Sequence, residues 1–304
     1  MKVLYDFQIF ERQRFGGISR YFYELFKRLS KPHEVEILVR RSQNVFLRDD
    51  ERVRLVDPKE AQAKFLSGIS FPGKGRLFRI AVRTRLHKAG REERNVEYAT
   101  RRIAEDEFDV FHPTYYGRYF LEHIGRRPFV ITVFDMIHEK YPEFFDLSEE
   151  VFTAKRELCQ KASHIIAISH QTKNDLVDFL GVSPSKVTAI PLAASFNPEE
   201  LPDIDEASIR PKPPNKYFLY TGQRGLYKNF PFFLSAVAPI LKENRDLSLI
   251  CTGPVFSREE QSYFDYLGVS HQIRHKFCHT DGEMAELYRS AILFVFPSLY
   301  EGFG

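Results

Sequence analysis

The chain contains no tryptophan, only three cysteines, and no apolar run of the roughly 18 residues that a membrane-spanning helix needs. Cys159, Cys251 and Cys278 are far apart in the sequence and form no C-x-x-C pair. This spacing argues against a disulfide framework or a zinc knuckle and is typical of a protein of the reducing cytoplasm. Residues 1–7 predict a short strand and lack the longer apolar stretch of a signal peptide.

Length and composition indicate a globular protein with more than one domain. Hydrophobic residues make up 43% of the 304 residues and charged residues 28%, which excludes a disordered or fibrous chain. A domain usually has roughly 100–200 residues, so we expect two. Residues 196–215 are rich in proline and show no sustained periodicity. We interpret them as a linker between a first domain at 1–195 and a second domain at 216–304.

Strand and helix patterns alternate along both predicted domains. Residues 17–29 carry apolar side chains at helical spacing, and Ile292–Phe296 is an unbroken apolar run that predicts a strand buried on both faces. The alternation predicts an α/β fold with two Rossmann-like domains that face each other across a cleft. We expect the second domain to be incomplete, because a doubly wound sheet normally continues with a helix and further strands.

Positive charge is concentrated in residues 72–102. This segment holds ten Lys or Arg against three Glu, a net charge of +7, whereas the whole chain carries +3. Apolar residues at helical spacing between the cations predict a basic amphipathic helix that binds an anionic membrane surface through residues 74–102. A solvated helix that covers the sheet is the alternative. We do not expect nucleic acid binding, because no base-stacking or groove-reading motif accompanies the charge.

The loop after the first strand of the second domain has the features of an anion site. It places Gly222, Arg224, Lys228 and Asn229 between a predicted strand and a predicted helix. A glycine turn, free N–H groups at a helix N-terminus and two cations suit a diphosphate. Arg224 would bind it bidentately and Lys228 as a point charge. The alternative is a basic surface loop in which Asn229 caps the next helix.

Two loops of the first domain are predicted to contribute to the same site. Gly16 and Gly17 precede a helix and predict a second cradle of N–H groups, where Gly17 would let an acceptor or a phosphate approach closely. Asp135, His138 and Glu139 follow a hydrophobic strand, at the edge where parallel sheets bind ligands. We expect them to form hydrogen bonds with sugar hydroxyls.

The remaining histidines and acids predict no metal site. His271, His275 and His279 are four residues apart but fall on or beside a predicted strand, and no acid or cysteine completes a ligand set. Residues 203–205 have a D-x-D spacing, but they lie in the proline-rich linker and are expected to be solvated. His112, at the end of a short strand, is predicted to point to the rim of the cleft.

The last residues of the sequence combine a carboxylate with glycines. Glu301 follows the predicted terminal strand and can accept two sugar hydroxyls at once. Gly302 and Gly304 would let backbone N–H groups approach a ligand that a side chain would block. The alternative is a turn with an exposed Glu.

Together these motifs resemble the group 1 glycosyltransferases, family 4 of the retaining sugar-nucleotide transferases with the GT-B fold. The matching segments are residues 15–20, 135–142, 186–192, 222–229 and 288–304. The resemblance implies that Arg224 and Lys228 hold the donor diphosphate and that Glu301 contacts the donor sugar. It also implies a donor-binding role for four further residues at the end of the sequence, Ser298, Gly302, Phe303 and Gly304.

The sequence departs from the family pattern at two places. The family has a second Glu that holds the nucleotide ribose, and this position would fall beyond residue 304, so we expect the chain to be a truncation. Many members carry a His directly before the Asp of the first-domain loop, where this chain has Phe134. His138 is the candidate replacement, with Asp135 as its neighbour in a catalytic role.

The resemblance implies a hexosyltransferase of cell-surface polysaccharide synthesis. Mannose is the favoured hexose, GDP-mannose the favoured donor with a UDP-sugar as the alternative, and the acceptor a lipid-linked sugar or an oligosaccharide. Family behaviour implies retained anomeric configuration, front-face attack with the donor phosphate taking the acceptor proton, and no cofactor or essential metal. The expected location is the cytoplasm, at the inner face of the plasma membrane. An inactive nucleotide-binding fragment and a phosphorylase of the same fold remain as alternatives.

Overall fold

A computed structural model describes residues 1–48, 50, 94–145, 151–193, 214, 216–278 and 280–303, and the backbone of residues 54–55 and 150. The chain divides into two compact units. Unit 1 comprises Met1–Glu139 and Leu147–Pro191, and unit 2 comprises Lys140–Asp146 and Leu192–Gly302. None of the helices within the described ranges is long and apolar enough to cross a membrane. The predicted linker and its D-x-D sequence lie outside the described residues, apart from Pro214.

Unit 1 is built on short parallel strands. In chain order they are β1 (Lys2–Asp6), β2 (Glu34–Leu38), β3 (Arg41–Ser42), β4 (Arg54–Leu55), β5 (Val110–His112), β6 (Val130–Val133), β7 (His164–Ala167) and β8 (Val187–Ala189). One parallel sheet has the order β2-β1-β5 and another the order β6-β7-β8, while β3 and β4 form a two-stranded sheet. A parallel bridge between Phe111 and Phe129 connects β5 with the residues before β6.

Helices alternate with these strands, as the sequence predicts. They are α1 (Gln8–Arg12), α2 (Gly17–Leu29), α3 (Asn95–Glu105), α4 (Ile137–Lys140), α5 (Glu150–Lys161) and α6 (His170–Leu180), with single 3-10 turns at Val45–Leu47 and Pro184–Lys186. The ends of α6 have clear local causes. The Ser169 side chain accepts the N–H of Thr172 at 3.0 Å, and Gly181 ends the helix with a φ of +64°, a conformation that glycine adopts without strain.

The core of unit 1 is largely aromatic. Helix α2 buries Phe22 and Phe26 against β1, and the ring centroids of Tyr5 and Phe26 are 4.5 Å apart. Because the side chains of α2 repeat at helical spacing, one face packs on the sheet and the charged face points to solvent. The helix has the bounds that its sequence pattern predicts.

Unit 2 carries a four-stranded parallel sheet. Its strands are β9 (Lys216–Thr221), β10 (Leu247–Thr252), β11 (Ile273–His275) and β12 (Leu293–Val295). Their order in the sheet is β11-β10-β9-β12, so β9 lies between β10 and β12. In this register Thr252 lies opposite Thr221, which aligns the carboxyl ends of the two central strands.

Among the described residues of unit 2, three helices cover the sheet: α7 (Phe230–Glu243), α8 (Arg258–Tyr266) and α9 (Asp281–Ser290). Single 3-10 turns lie at Pro142–Phe144, Leu226–Lys228 and Ser270–Gln272. Helix α8 begins with a capping box, in which Ser257 Oγ accepts the N–H of Glu260 at 3.2 Å and Glu260 Oε2 accepts the N–H of Ser257 at 2.7 Å. Leu249 packs with α7 on one face, and Leu219 packs with α9 on the other.

The two units therefore confirm the α/β class and the two Rossmann-like domains expected from the alternating pattern. The terminal strand differs from its prediction. Leu293 is 51% exposed and Phe294 40% exposed, and among the described residues β12 pairs only with β9. A continuous apolar run indicates a strand, but the number of its faces that are covered depends on the elements packed around it.

Residues from the middle of the chain pack with unit 2. The Tyr141 hydroxyl donates to the carbonyl of Leu299 at 3.4 Å, and Lys140 Nζ lies 4.7 Å from the ring centroid of Tyr300. The predicted division at residue 195 did not anticipate this grouping, because linker composition marks a boundary along the chain and not a chain segment that packs elsewhere.

Candidate functional site

Two glycines allow the backbone to approach closely at the carboxyl ends of β9 and β10. Gly222 has a φ of +111° and Gly253 a φ of +101°. A Cβ atom at Gly253 would lie 2.6 Å from the carbonyl oxygen of Gly222, which is closer than such atoms can approach. Both positions therefore require glycine. The loop that carries Arg224 and Lys228 leaves the sheet at this point.

Arg224 is buried, with only 5% of the residue exposed. Its Nε donates to Glu260 Oε1 at 2.6 Å, and its Nη2 donates to Glu260 Oε2 at 3.2 Å and to the carbonyl of Pro254 at 2.7 Å. The guanidinium lies 4.8 Å from the ring centroid of Phe256. This geometry does not fit the alternative of a basic surface loop. It also commits one edge of the guanidinium to Glu260, which leaves Nη1 buried without a hydrogen-bond partner among the described residues.

Lys228 lies beside Glu301. Its Nζ is 2.5 Å from Glu301 Oε1, and the two side chains are 18% and 20% exposed. The ammonium group also lies 4.8 Å from the ring centroid of Tyr227. The structure thus brings together the cation and the carboxylate that the resemblance assigns to the donor diphosphate and the donor sugar.

Asn229 connects the same loop with the segment after β12. It has a left-handed backbone with a φ of +55°, and its Nδ2 donates to the carbonyl of Pro297 at 3.3 Å. Its side chain forms no capping hydrogen bond with α7, so the capping role considered from the sequence is wrong. The backbone N–H of Leu299 donates to the carbonyl of Tyr227 at 2.8 Å. These two bonds fix the Arg224 loop against the Glu301 segment.

Several buried hydroxyl groups in unit 2 have no hydrogen-bond partner within the described part of the chain. They belong to Thr221, Thr252 and Ser298. Thr221 and Thr252 are the last residues of β9 and β10, and Ser298 follows β12. Buried hydroxyls are normally paired, so this end of the sheet offers polar groups to a ligand or to ordered water. Gly302 is buried and Phe303 is 41% exposed, while Gly304 lies outside the described residues.

In unit 1, Gly16 and Gly17 lie at the N-terminus of α2. A Cβ atom at Gly16 would lie 2.4 Å from Gln13 Oε1, so the end of that flexible side chain would have to move. That same oxygen accepts the N–H of Ser19 at 3.1 Å, so one of the first N–H groups of the helix is already bonded. The position of Gly17 is open, with no heavy atom within 4 Å of an added Cβ. The predicted cradle therefore has one N–H group fewer to offer to a ligand.

The loop with Asp135 and His138 is held in place by a buried ion pair. Lys155 Nζ, on α5, donates to Glu139 Oε2 at 2.9 Å and to the carbonyl of Asp135 at 3.2 Å. The side chains of Lys155 and Glu139 are 1% and 3% exposed. Asp135 Oδ1 accepts the N–H of Ile137 at 3.2 Å and so starts α4. Glu139, expected to meet sugar hydroxyls, is the counter-ion of Lys155 through Oε2, and its Oε1 is buried without a hydrogen-bond partner in the described part of the chain.

His112 does not point to the rim of a cleft. It is buried, and its Nε2 lies 2.9 Å from Thr132 Oγ1, with the ring 5.1 Å from that of Tyr5. Burial lowers the pKa of His112 to about 3. The prediction was wrong because strand position alone does not distinguish a side chain directed into the core from one directed out of the sheet edge.

Asp6 is a buried carboxylate that the sequence did not single out. It ends β1, and its Oδ1 accepts both the N–H and the hydroxyl of Thr114, at 2.8 and 2.7 Å. Its Oδ2 accepts Gln8 Nε2 at 2.6 Å and the Tyr119 hydroxyl at 3.2 Å. Burial raises the pKa of Asp6, although the hydrogen bonds from Thr114 and Gln8 oppose the shift. The carboxylate therefore holds the loop after β5 against the end of β1.

The predicted membrane-binding segment lies mostly outside the described residues. Within its described part, Arg102 pairs with Glu36 at 2.7 Å and with Asp106 at 2.5 Å. Arg94 pairs with Glu97 at 2.7 Å. Cations of α3 and of the residue before it are thus matched by acids of the same unit, which favours the covering-helix alternative for residues 94–102.

Comparison with known proteins identifies the family. Residues 15–194 match the Glycosyltransferase Family 4 family, and residues 203–304 match the Glycosyl transferases group 1 family. An uncharacterized glycosyltransferase of Methanocaldococcus jannaschii is 26% identical over 221 residues, which cover 66% of this chain and 55% of that protein. The match thus spans just over half the length of the curated relative.

Solved structures share the fold at low sequence identity. Sucrose-phosphate synthase from Thermosynechococcus elongatus superposes with a TM-score of 0.65 and 16% identity, covering 100% of this chain and 76% of that one. Anabaena HepE, crystallised in complex with UDP and glucose, superposes with a TM-score of 0.61 and 15% identity, covering 98% and 74%. The family matches and the shared fold confirm the resemblance drawn from the sequence motifs, and the chain belongs to Glycosyltransferase Family 4, with a second part that matches the group 1 glycosyl transferases.

Proposed function

We propose that this protein transfers a hexose from a nucleoside diphosphate sugar to an acceptor, with retention of the anomeric configuration. The observation that supports this most directly is the contact between Lys228 and Glu301 in unit 2. A cation suited to a phosphate and a carboxylate suited to sugar hydroxyls lie side by side at the carboxyl end of a parallel sheet, where such sheets bind ligands.

The charges of this site suit a departing nucleoside diphosphate. Lys228 and the Nη1 group of Arg224 would neutralise the negative charge that develops on the leaving group. Glu301 would accept hydroxyl groups of the donor sugar. The donor phosphate would take the acceptor proton as the acceptor attacks from the same face. In this scheme the cations replace a divalent metal, so neither a metal nor another cofactor is required.

We also propose which sugar donor and which acceptor the protein uses. Anabaena HepE has been crystallised with UDP-glucose, which supports testing uridine nucleotides first. We keep GDP-mannose as the donor favoured by the motifs. The same proposal includes a lipid-linked or oligosaccharide acceptor in cell-surface polysaccharide synthesis, which the protein would use at the inner face of the plasma membrane.

The proposed membrane contact is tested by binding to vesicles with and without anionic lipid, at low and high salt.

Calorimetry with UDP, GDP, UDP-glucose and GDP-mannose tests donor binding, and each is measured with and without EDTA. We expect one base to bind at least tenfold more tightly than the other, and EDTA to have no effect. Glu301→Gln should bind the nucleoside diphosphate as the wild type does, but should lose the added affinity for the sugar nucleotide. Equal binding of all four compounds by the wild type and by Glu301→Gln would contradict the proposal.

Product analysis tests the reaction itself. The protein is incubated with the preferred donor and an oligosaccharide or lipid-linked acceptor, and the anomeric proton of the product is followed by NMR. We expect the configuration of the donor to be kept. An inverted product would contradict the retaining mechanism. Formation of a sugar phosphate from inorganic phosphate and a disaccharide would identify a phosphorylase instead.

A further inference from the structure

The guanidinium of Arg224 is held on one edge and on one face. Glu260 accepts hydrogen bonds from Nε and Nη2, at 2.6 and 3.2 Å, in a side-on pair. The carbonyls of Pro254 and Val255 accept Nη2 at 2.7 and 3.1 Å. The ring of Phe256 covers the guanidinium face at 4.8 Å. These contacts leave the side chain a single orientation.

In this orientation only Nη1 of the guanidinium has no hydrogen-bond partner in the described part of the chain. The atom is buried, and a buried N–H group without an acceptor is costly. A phosphate oxygen is an acceptor that matches both its charge and its geometry. Arg224 is thus oriented so that the N–H groups on Nη1 remain free to donate hydrogen bonds to a diphosphate.

Glu260 has two roles that differ in chemistry. Its Oε2 accepts the N–H of Ser257 at 2.7 Å and closes the capping box of α8. Both of its oxygens also pair with Arg224, whose side chain is 4% exposed. Burial alone would raise the pKa of Glu260, but the hydrogen bonds from Arg224 and Ser257 lower it below its ordinary value. The carboxylate is therefore charged at neutral pH and matches the buried cation.

We propose that Glu260 is a positioning residue: it fixes Arg224 so that Nη1 is directed to the diphosphate of the bound nucleotide. This inference rests on the proposed function and extends it to a residue on α8, 36 positions from Arg224. Because the Arg224 guanidinium is already oriented, it loses less conformational freedom when the nucleotide binds, so the ion pair favours nucleotide binding. Glu260 does not touch the nucleotide itself.

Two variants on the same capping box separate the roles of Glu260. Glu260→Gln keeps the capping box, because a glutamine oxygen at this position still accepts the N–H of Ser257. It removes the charge that holds Arg224. Ser257→Ala removes the cap of α8 and leaves the ion pair in place. Both are compared with Arg224→Ala and with the wild type by calorimetry with UDP and GDP, well below the melting temperature of each.

We expect Glu260→Gln to weaken binding of the preferred nucleoside diphosphate about tenfold, and Ser257→Ala to leave it within twofold, although both lower the melting temperature. An NMR spectrum of the arginine Nε–H groups supplies a second readout. The Arg224 signal should persist in Ser257→Ala and exchange with water in Glu260→Gln.

Two results would overturn the inference. Wild-type nucleotide affinity in Glu260→Gln, while Arg224→Ala binds weakly, would show that Glu260 is only structural. Tighter binding by Glu260→Gln would show that Glu260 competes with the nucleotide for Arg224. Wild-type affinity in Arg224→Ala would instead remove Arg224 from the donor site, so this failure of the proposed function is distinguishable from failure of the positioning role.

Discussion

Lys228 and Glu301 are 73 positions apart in the sequence, and their charged groups are 2.5 Å apart in unit 2. Each is about four-fifths buried, so neither charge is fully solvated. The ammonium group balances the carboxylate and holds the loop after β9 against the segment after β12. In the proposed reaction, phosphate oxygens of the donor would meet the ammonium group and sugar hydroxyl groups would donate to the carboxylate, so both groups would keep hydrogen-bond partners when the pair opens.

We predict that Lys228→Met weakens binding of the preferred nucleoside diphosphate at least tenfold. The substitution removes a charge-assisted contact worth about 1.5–3 kcal/mol and keeps most of the side-chain volume. Calorimetry measures the change. Lys216→Met is the matched control, because Lys216 lies at the opposite end of β9 and its side chain is 60% exposed in a pair with Asp246. Equal weakening by both variants would argue for a general charge effect and against the site.

Gly253→Ala should destabilise unit 2 and disturb the loop that carries Arg224 and Lys228. The added Cβ atom would lie 2.6 Å from the carbonyl oxygen of Gly222, and the φ of +101° is unfavourable for alanine. We expect a loss of about 1–3 kcal/mol in the free energy of unfolding, measured by urea denaturation.

Gly225→Ala is the control for this substitution. Gly225 has a φ of −85° and no heavy atom within 4 Å of an added Cβ. Alanine should therefore be tolerated there, with stability unchanged or slightly higher. A similar loss of stability in both variants would show that the close approach of Gly222 and Gly253 is not the cause.

Lys155→Met should destabilise unit 1 by about 3–5 kcal/mol, because it leaves the buried carboxylate of Glu139 without its counter-ion. Lys161→Met, on the same helix, removes a cation that is 55% exposed and should have a much smaller effect. Adding Glu139→Gln to Lys155→Met should restore part of the loss. If the double variant is no more stable than Lys155→Met, the cost does not come from an unpaired charge.

The loss of folding stability at acidic pH should depend on His112. Its folded-state pKa is lowered to about 3 by burial, below the ordinary value of about 6.5. The stability linked to its neutral form is therefore complete above pH about 6.5 and is lost as the pH falls towards 3. One proton changes the free energy of unfolding by at most about 1.4 kcal/mol per pH unit.

Urea denaturation between pH 4 and 7 tests this dependence in the wild type and in His112→Gln. The variant should show a smaller rise of stability with pH. Asp6, whose folded-state pKa is raised, acts in the opposite direction above its ordinary pKa and is common to both proteins. Parallel curves for the two proteins would exclude His112 as the source of the acid sensitivity.

Much of the local structure was predictable because its causes are local. The apolar spacing of residues 17–29 is that of a helix, and α2 has these bounds. The Ser257-x-x-Glu260 pattern is a capping-box signature and marks the start of α8. The signal for the second role of Glu260 was absent, since no pattern in α8 shows that its carboxylate meets an arginine 36 positions away. Lys155 likewise has no local sign of burial.

By itself the sequence determined the α/β class, most of the strands and helices, the loops that carry Arg224, Lys228 and Glu301, and membership of the glycosyltransferases. These follow from periodicity, from glycine and capping chemistry, and from motifs that are contiguous in the chain. Only the tertiary structure decided which charges meet. It paired Lys228 with Glu301, committed one edge of Arg224 to Glu260, buried His112, and placed Glu139 against Lys155. The reason is that burial and ion pairing depend on which elements pack together, and parallel strands bring into contact side chains that the sequence keeps far apart.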